Sequence, residues 1–180
     1  MYELLILGAL MIHPRTGYKL RKILGGSLDP RREISNGVMY PLLHKLATAG
    51  FITLRDVEDD TARGSKLAEI TEKGEARFNE LMHEPIAVDA KRESMFRFKF
   101  RGLGRESTAY QRDVLTAYQT VVQEDLTVYR NVRMHLESIG DRPERKLDLG
   151  WTLRTIDLQI RVAETKLAWA AEQLAQIEDK

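Results

Sequence analysis

Asn36, Tyr40, His44 and Lys45 are spaced so that, on a helix advancing about 100° per residue, they share one face. Their chemistry converges. The Asn36 amide and the His44 imidazole can hydrogen-bond base edges or phosphates, the Lys45 ammonium can neutralise a phosphate, and Tyr40 offers both a ring and a hydroxyl. Gly37 has no Cβ, so a helix starting there can approach another backbone closely, and the free N–H groups of a helix N-terminus favour an anion such as phosphate. Pro41 removes the hydrogen bond to the Gly37 carbonyl and is expected to kink or locally open the first turns. Taken alone, Tyr40 reads equally well as a half-buried core aromatic.

The elements that must position this face can be read on either side of it. Ser35 is the expected N-cap of a helix over residues 36–49, Gly50 its stop, and Met39, Leu42, Leu43 and Leu46 its core positions. Upstream, residues 2–12 are apolar nearly all round and end at His13-Pro14, which suits a buried first helix. A turn at Pro14-Arg15-Thr16-Gly17 leads into a second helix over 18–28, with Thr16 able to cap its start. Downstream, FITLRD (51–56) alternates like a strand, 57–64 is acidic and turn-like, and KLAEI (66–70) can pair back as a second strand. Thr71-Glu72-Lys73-Gly74 opens a fourth helix to about His83, and Glu84-Pro85 marks a boundary. Three helices, a two-stranded β hairpin and a helix, in that order, are a winged helix-turn-helix.

Charge is informative only locally. The 180 residues carry 28 Lys+Arg and 27 Asp+Glu, a formal net charge of +1, so the whole chain advertises no polyanionic partner. Between His13 and Thr48, however, Arg15, Lys19, Arg21, Lys22, Arg31, Arg32 and Lys45 face only Asp29 and Glu33; seven cations against two anions leave +5. Arg15 and Lys19 therefore join Ser35, Asn36, Gly37, Tyr40, Pro41, His44 and Lys45 as candidate contacts to double-stranded DNA. On the wing, Asp56, Glu58, Asp59 and Asp60 would repel phosphates, leaving Arg63 and Lys66 as the cations able to approach.

The C-terminal half is of a different kind. A helix over 87–101 carries Phe96, Phe98 and Phe100 and breaks at Gly102-Leu103-Gly104; two long helices follow, over about 107–138 and 147–178. The last shows alternating steps of four and three at Leu149, Leu153, Ile156, Ile160, Ala163, Leu167, Ala170, Leu174 and Ile177, a heptad-like stripe. The helix before it has a similar stripe at Leu115, Tyr118, Val122, Tyr129, Val132 and Leu136. A second stripe on the last helix, Trp151, Leu158, Val162 and Trp169, exceeds what one partner helix would cover, so a homodimer is expected. The mainly α chain thus divides into a winged helix over 1–85 and antiparallel long helices forming a coiled-coil-like dimerisation domain over 86–180. Leu149, Leu153, Ile156, Ile160, Leu167, Leu174 and Ile177 are its expected dimer residues. Phe96, Phe100, Trp151 and Trp169, with Tyr118 and Tyr129, could line an aromatic effector pocket; ordinary packing is the preferred reading.

Other chemistries find little support. Cysteine is absent, and His13, His44, His83 and His135 are scattered without metal-ligand spacing, so neither a metal nor another cofactor is expected. Gly102-Leu103-Gly104 lacks the preceding strand and third glycine of a dinucleotide loop, and no nucleophile, base and acid come together; an enzyme is not expected. The early apolar run, 4–12, is too short to span a bilayer and has no basic segment before it, so the reading is a cytoplasmic chain without a membrane segment.

The leucine-rich first helix, Gly17-Tyr18, Ser35, Gly37, Tyr40-Pro41, Leu43, Leu46 and Gly50, followed after the wing by Thr71-Glu72-Lys73-Gly74, resemble the PadR family of bacterial transcriptional regulators. The length resembles its longer subfamily, whose C-terminal helices form the dimer. The resemblance implies a dimeric repressor on an inverted-repeat operator, with Tyr40 and its neighbours in the major groove and the wing along the backbone; some members respond to phenolic acids or drug-like aromatics. The chain departs from the pattern at Ala68, where the family often has an aromatic, so a different wing packing is expected. The alternative is a winged-helix adaptor that binds protein or small molecule without operator DNA.

Overall fold

An N-terminal helix with no polar face needs cover on every side, and here it has it. In the computed structural model, which describes residues 2–28, 35–57, 66–140 and 146–177, α1 (Tyr2–Leu10) buries Leu4, Leu5, Ile6, Leu7, Ala9 and Leu10. Around it pack α2 (Gly17–Leu28), which buries Leu20 and Leu24, and α4 (Glu72–His83), which buries Phe78, Leu81 and Met82. Arg77 of α4 ties the two ends of this core, its Nε bonding Glu3 at 3.0 Å and its Nη1 bonding Glu80 and Glu84; the Glu3 and Glu80 bonds hold the guanidinium above its ordinary pKa.

The hairpin strands β2 (Ile52–Asp56) and β3 (Lys66–Ile70) pair antiparallel, Ile52 with Ile70 and Asp56 with Lys66. Residues Arg15–Thr16, expected as part of a turn, instead form a third strand, β1, antiparallel to β3 with Arg15 opposite Ala68, giving the order β1-β3-β2. The physical reason is that β3 lies in the middle: it packs on α1, α2 and α4, and its second row of backbone groups needs partners that the hairpin cannot supply. Ala68 sits fully buried at that centre, flanked in register by Arg15 and Leu54.

α3 (Asn36–Thr48) joins α2 to β2, and α5 (Arg92–Gly102) packs on α1 and α2 with Phe96 and Phe98 buried. Contacts divide the chain into two units, Met1–Gly104 and Arg105–Lys180. In the second, α6 (Thr108–Gly140) and α7 (Lys146–Gln176) run antiparallel. Arg112 Nη2 reaches the Ile177 carbonyl near one end, and Arg130–Glu164 (2.9 Å) and Arg133–Asp157 (3.0 Å) bridge the helices farther along. The interface buries Val114, Leu115, Tyr118, Val122 and Leu126 of α6, so Leu126 fills the gap in the stripe between Val122 and Tyr129. On α7 it buries Ile160, Ala163 and Ala170, while Leu149, Leu153, Ile156, Leu167, Leu174 and Ile177 are half-buried. Ile160, Ala163 and Ala170 of the heptad-like stripe thus pack within the chain. Trp151, Leu158, Val162 and Trp169 are the large apolar residues left exposed among the described residues of α7. Among the described residues no helix is long and apolar enough to cross a membrane, and no His, Asp and Glu cluster could hold a metal ion.

Candidate nucleic-acid interface

α3 buries Met39, Leu43 and Leu46 and turns outward Asn36, Gly37, Val38, Tyr40, Pro41, His44, Lys45 and Thr48. All the residues of the expected polar face are exposed. One local expectation holds in part and another is corrected. Ser35 occupies the N-cap with extended backbone, and its carbonyl accepts from the Val38 and Met39 N–H groups, yet its side chain makes no capping bond. Pro41 does not interrupt the helix, which runs continuously from Asn36 to Thr48. Proline sits one turn after Gly37, and both residues are exposed, so the hydrogen bond lost with the missing N–H lies on the outer face of the helix.

Three contacts fix the exposed face from behind. The first is at the α2 N-terminus: a Cβ at buried Gly17 would lie 3.2 Å from Tyr40 Cε1 and 3.4 Å from Leu43 Cδ1, so the Tyr40 ring uses the space a side chain there would occupy. Tyr40 is 46% exposed, its ring seated against Gly17 along the Cε1–Cζ edge. The second contact joins the helices of the pair, Arg21 Nη1 donating to Asn36 Oδ1 at 2.9 Å while the guanidinium lies 5.7 Å from the Tyr18 ring centroid.

The third contact holds the C-terminal end of α3. Lys73 Nζ donates to the Ala49 carbonyl at 2.9 Å, and Thr71 Oγ1 donates to the Gly50 carbonyl at 2.7 Å while accepting from Gly74 N–H at 3.1 Å. Gly50 has φ +78°, the left-handed turn that brings these carbonyls round. A Cβ at Gly74 would lie 2.0 Å from the Phe51 carbonyl oxygen, so only glycine lets α4 start against that strand entry. Thr71-Glu72-Lys73-Gly74 is thus a clamp on the end of α3, which positions Lys45 and His44 one turn earlier.

Not every candidate cation is equally available. Lys19 is exposed on α2. Arg15 is half-buried, its Nε donating to the Ala9 carbonyl at 3.3 Å, which ties β1 to the end of α1. Lys66 is exposed but stands opposite Asp56 across the hairpin, and Arg55 pairs with Glu69 at 3.2 Å, so the described part of the wing is largely self-neutralised. Arg63, Arg31 and Arg32, with the acids Glu58, Asp59 and Asp60, lie outside the described residues.

The sequence reading passed over Val38, Thr48 and Arg21. Val38, 46% exposed, lies beside Lys45 on the helical wheel, and its apolar type alone disguised it; counting 100° steps would have found it and Thr48. Arg21 was counted as charge, and its bond to Asn36 spans fifteen positions, which no local pattern signals. Of the aromatic pocket candidates, Phe96 is buried in the first unit with half-buried Phe100 at 6.1 Å, ring centre to ring centre. In the second unit Trp169 meets Tyr118 edge-on at 6.3 Å, and Trp151 is 75% exposed with Arg154 over its ring.

A model of the transcriptional regulator PadR-like family matches residues 6–80. Among solved structures the chain is similar to Bacillus subtilis PadR in complex with operator DNA, with 21% identity over 98% of this chain and 97% of that one and a TM-score of 0.45. It is also similar to Bacillus subtilis PadR in complex with p-coumaric acid, at 21% identity over 98% of each chain and a TM-score of 0.41. The PadR-like transcriptional regulator BC1756 from Bacillus cereus gives 19% identity over 96% of this chain and 99% of that one, with a TM-score of 0.41. No curated protein matches the chain.

Proposed function

With a PadR-like transcriptional-regulator domain over residues 6–80 as the premise, we propose that the chain is a cytoplasmic, dimeric repressor that binds an inverted-repeat operator in double-stranded DNA. The observation that carries this reading is the exposed face of α3, polar and cationic, held at its start by Arg21, at its middle by Gly17 and at its end by the Thr71–Gly74 clamp. A helix fixed in this way presents Asn36, Gly37, Tyr40, Pro41, His44 and Lys45 to a major groove about 12 Å wide without further ordering. Ser35 and Lys19 approach the phosphates, with Arg15, Arg63 and Lys66 as lesser cations. The winged helix over 1–85 reads the operator and the region 86–180 pairs two copies, with Phe96 and Phe100 in the first unit, or Trp151 and Trp169 in the second, as separate candidates for a small aromatic effector that releases DNA.

The test is fluorescence-anisotropy binding of the purified protein to DNA from its own upstream region and to a scrambled duplex, across a salt series. Preference for the upstream duplex, with log affinity falling by about 0.9 per contacted phosphate for each decade of salt, supports an autoregulated repressor. Equal, steeply salt-dependent binding to both places the operator elsewhere. No binding to either at low salt would replace this reading by a protein- or ligand-binding adaptor, which also predicts indifference to charge reversal at Arg15, Lys19 and Arg21.

A further inference from the structure

Resting on that DNA-binding reading, we propose that Arg21 is a positioning residue that locks the Asn36 amide as a hydrogen-bond donor toward DNA, so that the first residue of α3 selects an acceptor and disfavours the bidentate contact to adenine. An asparagine free to rotate reads adenine bidentately, its oxygen accepting from N6 and its nitrogen donating to N7. In Asn36 one lone pair of that oxygen is taken by Arg21, which fixes the amide plane and leaves only the second to meet a base donor. A guanidinium carries donors only, so the amide face turned to Arg21 is its oxygen, and the bond is 2.9 Å long. The NH2 group then points away from Arg21, into the exposed surface that Asn36 occupies at the helix start.

Charge reinforces the geometry. A cation already bonded to Oδ1 repels the N6–H donor that adenine would bring, whereas an acceptor-only group meets two N–H donors. That group is either the N7/O6 edge of guanine or a phosphate oxygen. Arg21 itself is held, since the Tyr18 ring three residues earlier on α2 lies 5.7 Å from its guanidinium carbon and Tyr18 makes no demand on the core, being 63% exposed. The ring, the guanidinium and the amide form one chain across the two helices. It also keeps the Asn36 side chain from folding back onto the backbone N–H groups that Ser35 leaves uncapped.

The experiment selects preferred duplexes from a randomised pool with the wild type, Arg21→Met, Asn36→Ala and the double variant, then measures affinities and salt slopes on the wild-type consensus. Arg21 is half-buried and Asn36 exposed, so circular dichroism is expected to show all four folded. The expected result is a loss of roughly three- to tenfold for Asn36→Ala, no larger a loss for Arg21→Met, and a double variant equal to Asn36→Ala, because Arg21 acts only through Asn36. Arg21→Met alone is expected to admit adenine at a position where the wild type prefers guanine; a uniform loss without change of consensus, equal in both single variants, identifies the acceptor as phosphate instead. Multiplicative losses, with Arg21→Met lowering the salt slope by about 0.9, would mean that Arg21 contacts a phosphate by itself and would overturn the proposal. So would wild-type selection of adenine at the position that Asn36→Ala relaxes. A wild type that selects no consensus removes the DNA-binding reading, and this inference with it, which the variants alone would not do.

Discussion

Gly17 and Tyr40 are in contact across the two helices of the pair, with no room between them for a methyl group: its carbon would lie 3.2 Å from the tyrosine Cε1. The glycine opens α2 and is buried; the tyrosine is half-exposed on α3. One residue's missing side chain is thus what seats the other's ring.

Gly17→Ala therefore separates binding from folding. Tyr40 and Leu43 must each give by a few tenths of an ångström, and the half-exposed ring is the freer of the two. The expected cost in stability is small, under about 1.5 kcal/mol, the lower part of the overpacking range. Operator affinity is expected to fall at least as far as in Tyr40→Phe, because the ring is displaced rather than trimmed. Urea melts together with anisotropy titrations check both, and an alanine variant that binds like the wild type would sever the link between this contact and recognition.

Gly74→Ala reverses the balance. Here the added carbon meets the backbone, 2.0 Å from the Phe51 carbonyl oxygen, and that oxygen also accepts the Thr71 N–H at 3.1 Å. Neither group can rotate away, so the start of α4 or the entry to β2 must shift, at an expected cost above about 2 kcal/mol. Lys73→Met, which removes an exposed bond to the Ala49 carbonyl and the ammonium 5.3 Å from the Phe51 ring centre, is expected to cost under about 1.5 kcal/mol. The two denaturation midpoints give the comparison; equal small losses would show that the clamp does not hold the end of α3.

These contacts also show where the sequence was readable. The helices and the hairpin follow from apolar spacing and from Gly and Pro punctuation, which are local signals. Thr71-Glu72-Lys73-Gly74 was visible as a helix start, but its grip on Ala49 and Gly50 was not, since those partners are over twenty positions away. β1 was missed for the same reason, a two-residue strand whose only pairing is with residues 67 and 68. Most of the exposed face of α3 was legible from 100° steps; that Asn36 is engaged by Arg21 needed coordinates. Periodicity on α7 showed two apolar stripes and could not say which one packs on α6, because a neighbouring helix of the same chain and one from a partner demand the same spacing.

Tyr110, near the start of α6, predicts an alkaline response of the second unit. Burial, and then the charges of Glu106 and Asp113, push its phenol above the ordinary value near 10. A raised pKa in the folded state means the folded form keeps its proton after the unfolded form has lost it. Stability from this group is therefore complete below pH 10 and falls as pH rises from there toward the folded pKa. Thermal melts of the wild type minus those of Tyr110→Phe, taken from pH 8 to 11, are expected to be flat at first and to decline past pH 10; a flat difference throughout would remove the effect.

The exposed stripe on α7 gives the last prediction. Leu158 and Val162 are 57% and 41% exposed, one turn apart and away from the surface that Ile160 and Ala163 bury against α6. A second copy pairing through this stripe would cover them together with Trp151 and Trp169, and carboxylates there would be desolvated and opposed by their own copies across a two-fold axis. Leu158→Glu combined with Val162→Glu is expected to give a folded monomer with unchanged helix content that binds its operator far more weakly, since two half-sites are no longer linked. Ile160→Glu, by contrast, is expected to unfold the unit from within. Sedimentation equilibrium distinguishes the outcomes: a double variant that stays dimeric would place the pairing elsewhere, most directly through an exchange of the Leu149–Ile177 stripe between chains, in which each α7 packs on its partner's α6.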